Sequence, residues 1–153
     1  MKIYKLHFTQ TFTTSLDVIW EFLSTPKNLD EITPKELRFK ILSDLPEKMY
    51  SGQIITYQIK VLPFVSYTWV TEIKNVVEKE YFIDEQRFGP YKFWHHQHRL
   101  ELNDGKVIMH DIIHYALPFG ILGILMNFIF IQEKLKKIFS YRKSYLDKKF
   151  NSK

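Results

Sequence analysis

No cysteine occurs among the 153 residues, which rules out disulfides, thiolate metal sites and thiol nucleophiles. Glycine is scarce too. The five present lie at turns or within Phe119-Gly120-Ile121-Leu122-Gly123, and they form no glycine-rich phosphate loop. A nucleophile elbow and an HExxH helix are likewise missing. The uncharged run from Ala116 to Ile131 is 16 residues long, short of the about 20 that span a bilayer, and it contains Pro118 and Asn127. The opening MKIYKLHFTQTF carries polar residues throughout and does not read as a signal peptide. A cytoplasmic location is therefore the expectation, and the lack of cysteine fits a reducing compartment.

Large apolar side chains are abundant. Hydrophobic residues make up 45% of the chain and aromatic rings 16%, enough for a thick core or for the wall of a cavity. A chain of this length reads as one domain, able to bury roughly 68–70% of its unfolded surface. Charge is unevenly distributed. From Glu133 onward, eight basic residues face two acidic ones, so this tail carries +6 and the rest of the chain −1. Such a stripe can meet an anionic surface, but it is more often a solvated helix face, and nucleic acid is not expected as a partner.

Periodicity suggests an α+β chain. Residues 2–12 alternate as a strand, with Tyr4, Leu6, Phe8 and Phe12 on one side. Thr14 and Asp17 mark a helix start, followed by Leu16, Ile19, Trp20 and Leu23 at helical spacing. Pro26 and Pro34 bracket a second short helix over Lys27 to Thr33. Strands follow at 38–42, 52–61, 65–73 and 81–88, with Leu62-Pro63-Phe64 as the bend between the second and third of these. Tyr57 and Trp69 fall on the apolar faces of their strands. Segments 93–102 and 107–116 form a hairpin around Asn103-Asp104-Gly105-Lys106. A final helix runs from about Ile121 to Phe150. Its second half carries an apolar stripe through Phe128, Ile131, Leu135, Ile138, Phe139, Tyr145 and Leu146. Its first half is apolar all round and must be covered by sheet, partner, or ligand and lid.

The hairpin carries the chemistry. Pairing Asn103 with Lys106 sets His98 opposite Asp111, His96 opposite Ile113 and Trp94 opposite Tyr115, on a face otherwise apolar. Buried polar groups of this kind cost several kcal/mol unless they bond one another or a ligand. Three roles stay open for them: a brace for the sheet, a polar anchor for an apolar ligand, or an acid–base pair formed by His98 and Asp111 with His96 assisting. His95, His114 and His110 share the outer face without close convergence, and neither a metal nor another cofactor is expected.

The order of elements resembles the SRPBCC or START-like superfamily, the helix-grip fold of Bet v 1-like proteins, lipid-transfer domains and polyketide cyclases. Phe82-Ile83-Asp84-Glu85-Gln86, Gly89-Pro90-Tyr91, Trp94-His95-His96-Gln97-His98 and Asp111 with Tyr115-Ala116-Leu117-Pro118-Phe119-Gly120 are similar to a bacterial ligand-binding branch. Leu100 stands where that branch usually has an aromatic ring. The resemblance implies a curved antiparallel sheet of about seven strands, two short helices after the first strand, and a long C-terminal helix over a cavity. It turns Phe82, Asp84 and Gln86 inward beside Trp94, His96, His98, Asp111 and Tyr115.

The expected function is binding of a lipid, polyketide or aromatic metabolite, without catalysis. The expected contacts are Tyr57, Trp69, Phe82, Asp84, Gln86, Trp94, His96, His98, Asp111, Ile113, Tyr115, Leu125 and Phe128. A cyclase- or hydratase-type enzyme is the first alternative. A membrane-surface or partner-binding role for residues 116–131 is the second. The sequence leaves the oligomeric state open.

Overall fold

A computed structural model describes residues 1–62 and 65–151. The expected bend at Leu62-Pro63-Phe64 therefore falls largely outside the described residues. Strand β1 (Tyr4–Phe12) leads into helix α1 (Leu16–Leu23), which starts one residue later than Thr14 suggested. Its N-cap is Ser15, whose hydroxyl accepts from the Val18 amide at 3.4 Å. The expected second helix is replaced by two 3-10 turns, Pro26–Leu29 and Lys35–Leu37. The seven residues between Pro26 and Pro34 leave too little chain to sustain an α-helix.

The remaining strands are β2 (Lys40–Ile41), β3 (Ile54–Leu62), β4 (Val65–Val77), β5 (Tyr81–Phe88), β6 (Phe93–Asn103) and β7 (Lys106–Ala116). They form one antiparallel sheet in the order β1-β7-β6-β5-β4-β3-β2. The first strand thus pairs with the last, and α1 with the two turns carries the chain to the opposite edge. The β6–β7 register is the one the apolar pattern required: Asn103 opposite Lys106, Leu100 opposite Met109, His98 opposite Asp111 and Trp94 opposite Tyr115. Asp104 and Gly105 both take left-handed backbone conformations, as a two-residue hairpin turn demands.

The C-terminal helix has three parts: α2 (Gly120–Met126), a π turn (Asn127–Ile131) and α3 (Gln132–Phe150). Across the π turn the Gln132 amide donates to the Asn127 carbonyl, five residues back. This wider turn advances less per residue than an α-helix. Asn127 swings under the helix, 2% exposed, while Phe128 swings out, 82% exposed. The expected stripe therefore begins at Ile131, not Phe128, and continues through Leu135, Phe139, Arg142 and Leu146, all buried. Ile138 and Tyr145 lie half-buried at its margins.

α3 lies across the inner face of the sheet, where Phe139 stacks on Phe8 with ring centroids 4.7 Å apart. Two apolar clusters result. One joins α1, Phe12, Phe82, Leu100, Val107, Met109 and Leu146. The other joins Ile55, Tyr57, Trp69, Trp94, Ile113, Tyr115, Ile131, Leu135 and Phe139. Along β6 the inner row runs Trp94, His96, His98, Leu100, so the two histidines fall between the clusters.

Candidate functional site

The inner row of β6 brings two imidazoles against three charged groups from other elements. His98 stacks on Phe82 at 4.1 Å, and His96 meets Phe139 edge-on at 5.4 Å. Oδ1 of Asp111, from β7, lies 3.0 Å from His96 Nε2 and 3.0 Å from His98 Nδ1. Oδ2 of Asp84, from β5, lies 2.9 Å from His98 Nε2 and 3.4 Å from His96 Nδ1. Arg142, from α3, places its guanidinium 3.5 Å from Asp111 Oδ1 and 3.1 Å from His98 Nδ1. The Trp94 indole N–H donates to Asp84 Oδ1 at 3.3 Å.

The direction in which each group titrates follows from these contacts. Burial would raise both carboxyls. For Asp84 the charge on His96 and hydrogen bonds from both imidazoles outweigh it, and the pKa falls below the usual range. For Asp111 the Arg142 charge and the two imidazole bonds do the same. Burial pushes His96 down, but the Asp84 charge and a bond to Asp111 raise it above an ordinary histidine. Burial and the neighbouring His96 and Arg142 charges push His98 down against its carboxylate bonds. Two carboxylates, one imidazolium and one guanidinium then balance to zero around a neutral His98. Its Nε2 lies within hydrogen-bond distance of Asp84, and its Nδ1 within reach of both Asp111 and Arg142. That balance is what makes so polar a cluster tolerable in a core.

A mostly apolar cavity of about 190 Å³ opens beside this cluster, between the sheet and α3. Of the residues expected from the sequence, Tyr57, Trp69, Phe82, Asp84, Trp94, His96 and His98 line it. The others lie elsewhere. Asp111 stands behind the histidines. Ile113 and Tyr115 are fully buried in the second cluster, and the Tyr115 hydroxyl donates to Asn127 Oδ1 at 2.8 Å. Burial pushes that phenol up to about 12.

Gln86 turns its amide to the chain following β5, donating to the Tyr91 carbonyl at 2.6 Å and accepting from the Tyr91 amide at 3.1 Å. Gly89 makes room for this bracing, since a Cβ there would sit 2.3 Å from Gln86 Oε1. Leu125 and Phe128 are exposed, at 52% and 82%, and lie outside the cavity. The expected lid is therefore not formed by the start of the last helix, because the π turn directs its apolar face outward. Gly123 permits a close approach, but a local one: a Cβ there would meet the Pro118 carbonyl oxygen at 2.1 Å.

The cavity roof comes from two places, neither of them the start of the last helix. Phe22, Leu29, Ile32, Phe39 and Met49 close it from the α1 side, and Leu135, Ile138, Phe139 and Arg142 from α3. In sequence Arg142 belongs to the basic tail. Its position three residues after Phe139 and four before Leu146 was the available signal that it faces inward. The Trp69 indole N–H, also in the cavity wall, is buried with no hydrogen-bond partner among the described residues. On the outer face, His95 and His114 stand with ring centroids 6.1 Å apart, while His110 is engaged by His7 at 3.1 Å.

The sheet, the long helix and the cavity between them define the helix-grip α+β class, which solved structures share across nearly the whole chain. Major latex-like protein 151 from Panax ginseng superposes with a TM-score of 0.70 at 12% identity, covering 97% of each chain. The Zhui aromatase/cyclase from Streptomyces sp. R1128 gives 0.68 at 11% identity, covering 95% of each. A norcoclaurine synthase point mutant from Thalictrum flavum, solved with a transition-state analogue, gives 0.66 at 14% identity, covering 97% of each. No protein-family model and no curated protein matches the sequence. Identities this low establish the fold and leave the activity to the site.

Proposed function

We propose that this chain binds a small, largely apolar ligand, about the size of one or two aromatic rings and bearing an oxygen acceptor. The carrying observation is the cavity of about 190 Å³, apolar over most of its wall, with Asp84, His96 and His98 and the unpartnered Trp69 N–H among its few polar groups. Cavities near 150 Å³ accept benzene, so this volume suits a compact ring system better than a long acyl chain. The polar groups fix orientation while the apolar wall supplies affinity, the usual division in small-molecule sites. The fold neighbours agree with such a use, since one is an aromatase/cyclase and another was solved around a transition-state analogue. Native mass spectrometry of protein isolated from cells tests the reading. A bound mass, lost on denaturation and excluded by the cavity-filling Ile138→Trp variant, is expected. Protein that carries nothing and takes up no apolar aromatic probe overturns it.

A second reading is favoured by a separate observation. Around α2 and the π turn, Phe119 (79%), Ile121 (86%), Phe128 (82%) and Ile129 (64%) are exposed, next to Lys136 and Lys137 of α3. Phe119 even holds a left-handed backbone, φ 67°, with its ring outward. An apolar block flanked by cations suits the interface of an anionic bilayer. No helix among the described residues is long and apolar enough to cross one. Co-sedimentation with anionic vesicles at low salt, lost in Ile121→Asp and Phe128→Asp, is the expected result. Binding that ignores both substitutions, or none at all, removes this role.

A further inference from the structure

We propose that Asp84, His96 and His98 form a binding site for a divalent transition-metal ion, of the zinc, cobalt(II) or iron(II) kind. Their donor atoms all lie within 4.8 Å of one another. Asp84 Oδ2 is 2.9 Å from His98 Nε2 and 3.4 Å from His96 Nδ1. Metal–ligand bonds of about 2.0–2.2 Å to imidazole and carboxylate place donors on one ion about 3–3.5 Å apart. Two of the three donor separations therefore already match a coordination sphere, and the third closes to within 4.8 Å. Two imidazoles and a carboxylate suit zinc or iron(II) rather than magnesium or calcium, which prefer all-oxygen sets.

The groups behind the three donors make the stronger point. A ligating histidine ordinarily gives its other N–H to a carboxylate, and ligating carboxylates are themselves hydrogen-bonded. Here Asp111 Oδ1 lies 3.0 Å from the outer nitrogen of each histidine, His96 Nε2 and His98 Nδ1. Arg142 steadies Asp111 from α3, and Trp94 donates to the free oxygen of Asp84. Every donor thus has a hydrogen-bonding neighbour behind it. Metal entry releases the proton of His96 Nδ1 to solvent and leaves each histidine with its N–H on the outer nitrogen, donating to an ionised Asp111.

All three donors line the cavity, so an open coordination position faces it. The ion with Asp84, Asp111 and Arg142 sums to +1, so that position favours an anionic oxygen, such as a carboxylate on the cavity's ligand. This last step rests on the ligand-binding reading; the metal site does not.

Cobalt(II) titration of chelator-treated protein, with no organic ligand present, tests the site by its visible d–d bands. One ion per chain is expected, with the ring ¹⁵N resonances of His96 and His98 moving on zinc addition in the unmodified protein. Asp84→Asn abolishes the bands, and Trp94→Phe weakens affinity roughly 10–100-fold by loosening Asp84. His95→Ala with His114→Ala leaves both unchanged. The proposal is overturned if no ion binds, or if the His96 and His98 resonances stay still while the outer-face double substitution removes binding. The histidine resonances are read on unmodified protein, so a variant that fails to fold does not blunt the test.

Discussion

At the scale of single residues, Arg142 holds the polar core together. It is 7% exposed and is, among the described residues, the one Lys or Arg side chain paired with Asp111, itself 2% exposed. Arg142→Met keeps the volume and removes the charge, leaving a buried carboxylate short of a partner. We expect a loss of about 3–5 kcal/mol in urea unfolding, the cost of breaking a buried pair on one side. Asp111→Asn with Arg142→Met should recover part of it in the same assay.

The cluster also sets a pH window for the metal-free protein. Folding depresses the pKa values of Asp84 and Asp111, so their contribution is present above the unfolded carboxylate range and lost as pH falls through the folded values. Folding raises His96, whose contribution is present below the ordinary histidine range and lost as pH rises through its folded value. His98, depressed, adds to the acid limb as it must be protonated there. Among the described residues, Arg142 is the further charged group facing this centre. Stability of chelator-treated protein should therefore peak in mildly acidic buffer and fall on both sides, and Asp111→Asn should flatten the acid limb. A profile unchanged by that substitution counts against the charge assignment.

At the scale of elements, the π turn decides which half of the last helix belongs to the core. Leu135→Ala, on the inward stripe, should cost about 2–5 kcal/mol through the cavity it leaves. Phe128→Ser, an equally drastic change in the sequence, should move stability by no more than about 0.5 kcal/mol, because the ring is already exposed. Denaturant midpoints of the two variants check both. If Phe128→Ser proves as costly as Leu135→Ala, the helix face has been assigned the wrong way round. Asn127 is what anchors the turn: its carboxamide takes the Tyr115 hydroxyl from β7, a contact 12 residues apart in sequence.

At the scale of the whole molecule, the cavity lies between sheet and helix, and its wall is drawn from both. A ligand there should stabilise the fold by mass action, about 2.7 kcal/mol at a hundred times its dissociation constant. For a chain of this length that corresponds to a rise in Tm of roughly 5–10 °C, readable by thermal shift. A compound on the exposed α2 surface would raise Tm as well, so the cavity-filling Ile138→Trp variant separates the two: a shift lost in that variant places the compound in the cavity.

Strand β1, strands β3 to β7 and the last helix were legible from alternation and helical spacing, because those periods follow from backbone geometry alone. The hairpin register was legible too: only one pairing puts Trp94, Leu100, Met109 and Tyr115 on a common face, and it carries His98 and Asp111 with it. Asp84 came only from the resemblance, since alternation cannot choose the inner face of β5. Three things belonged to the tertiary structure. One is the turn of Leu125 and Phe128 away from the cavity, which a single wider helical turn produces and no periodicity announces. The second is the roof from α1 and the 3-10 turns. The third is Arg142, a basic residue among basic residues in sequence, whose burial depends on β5, β6 and β7 delivering two carboxylates to the same point. Local patterns fix which face of an element is apolar; only packing decides which charges meet on it.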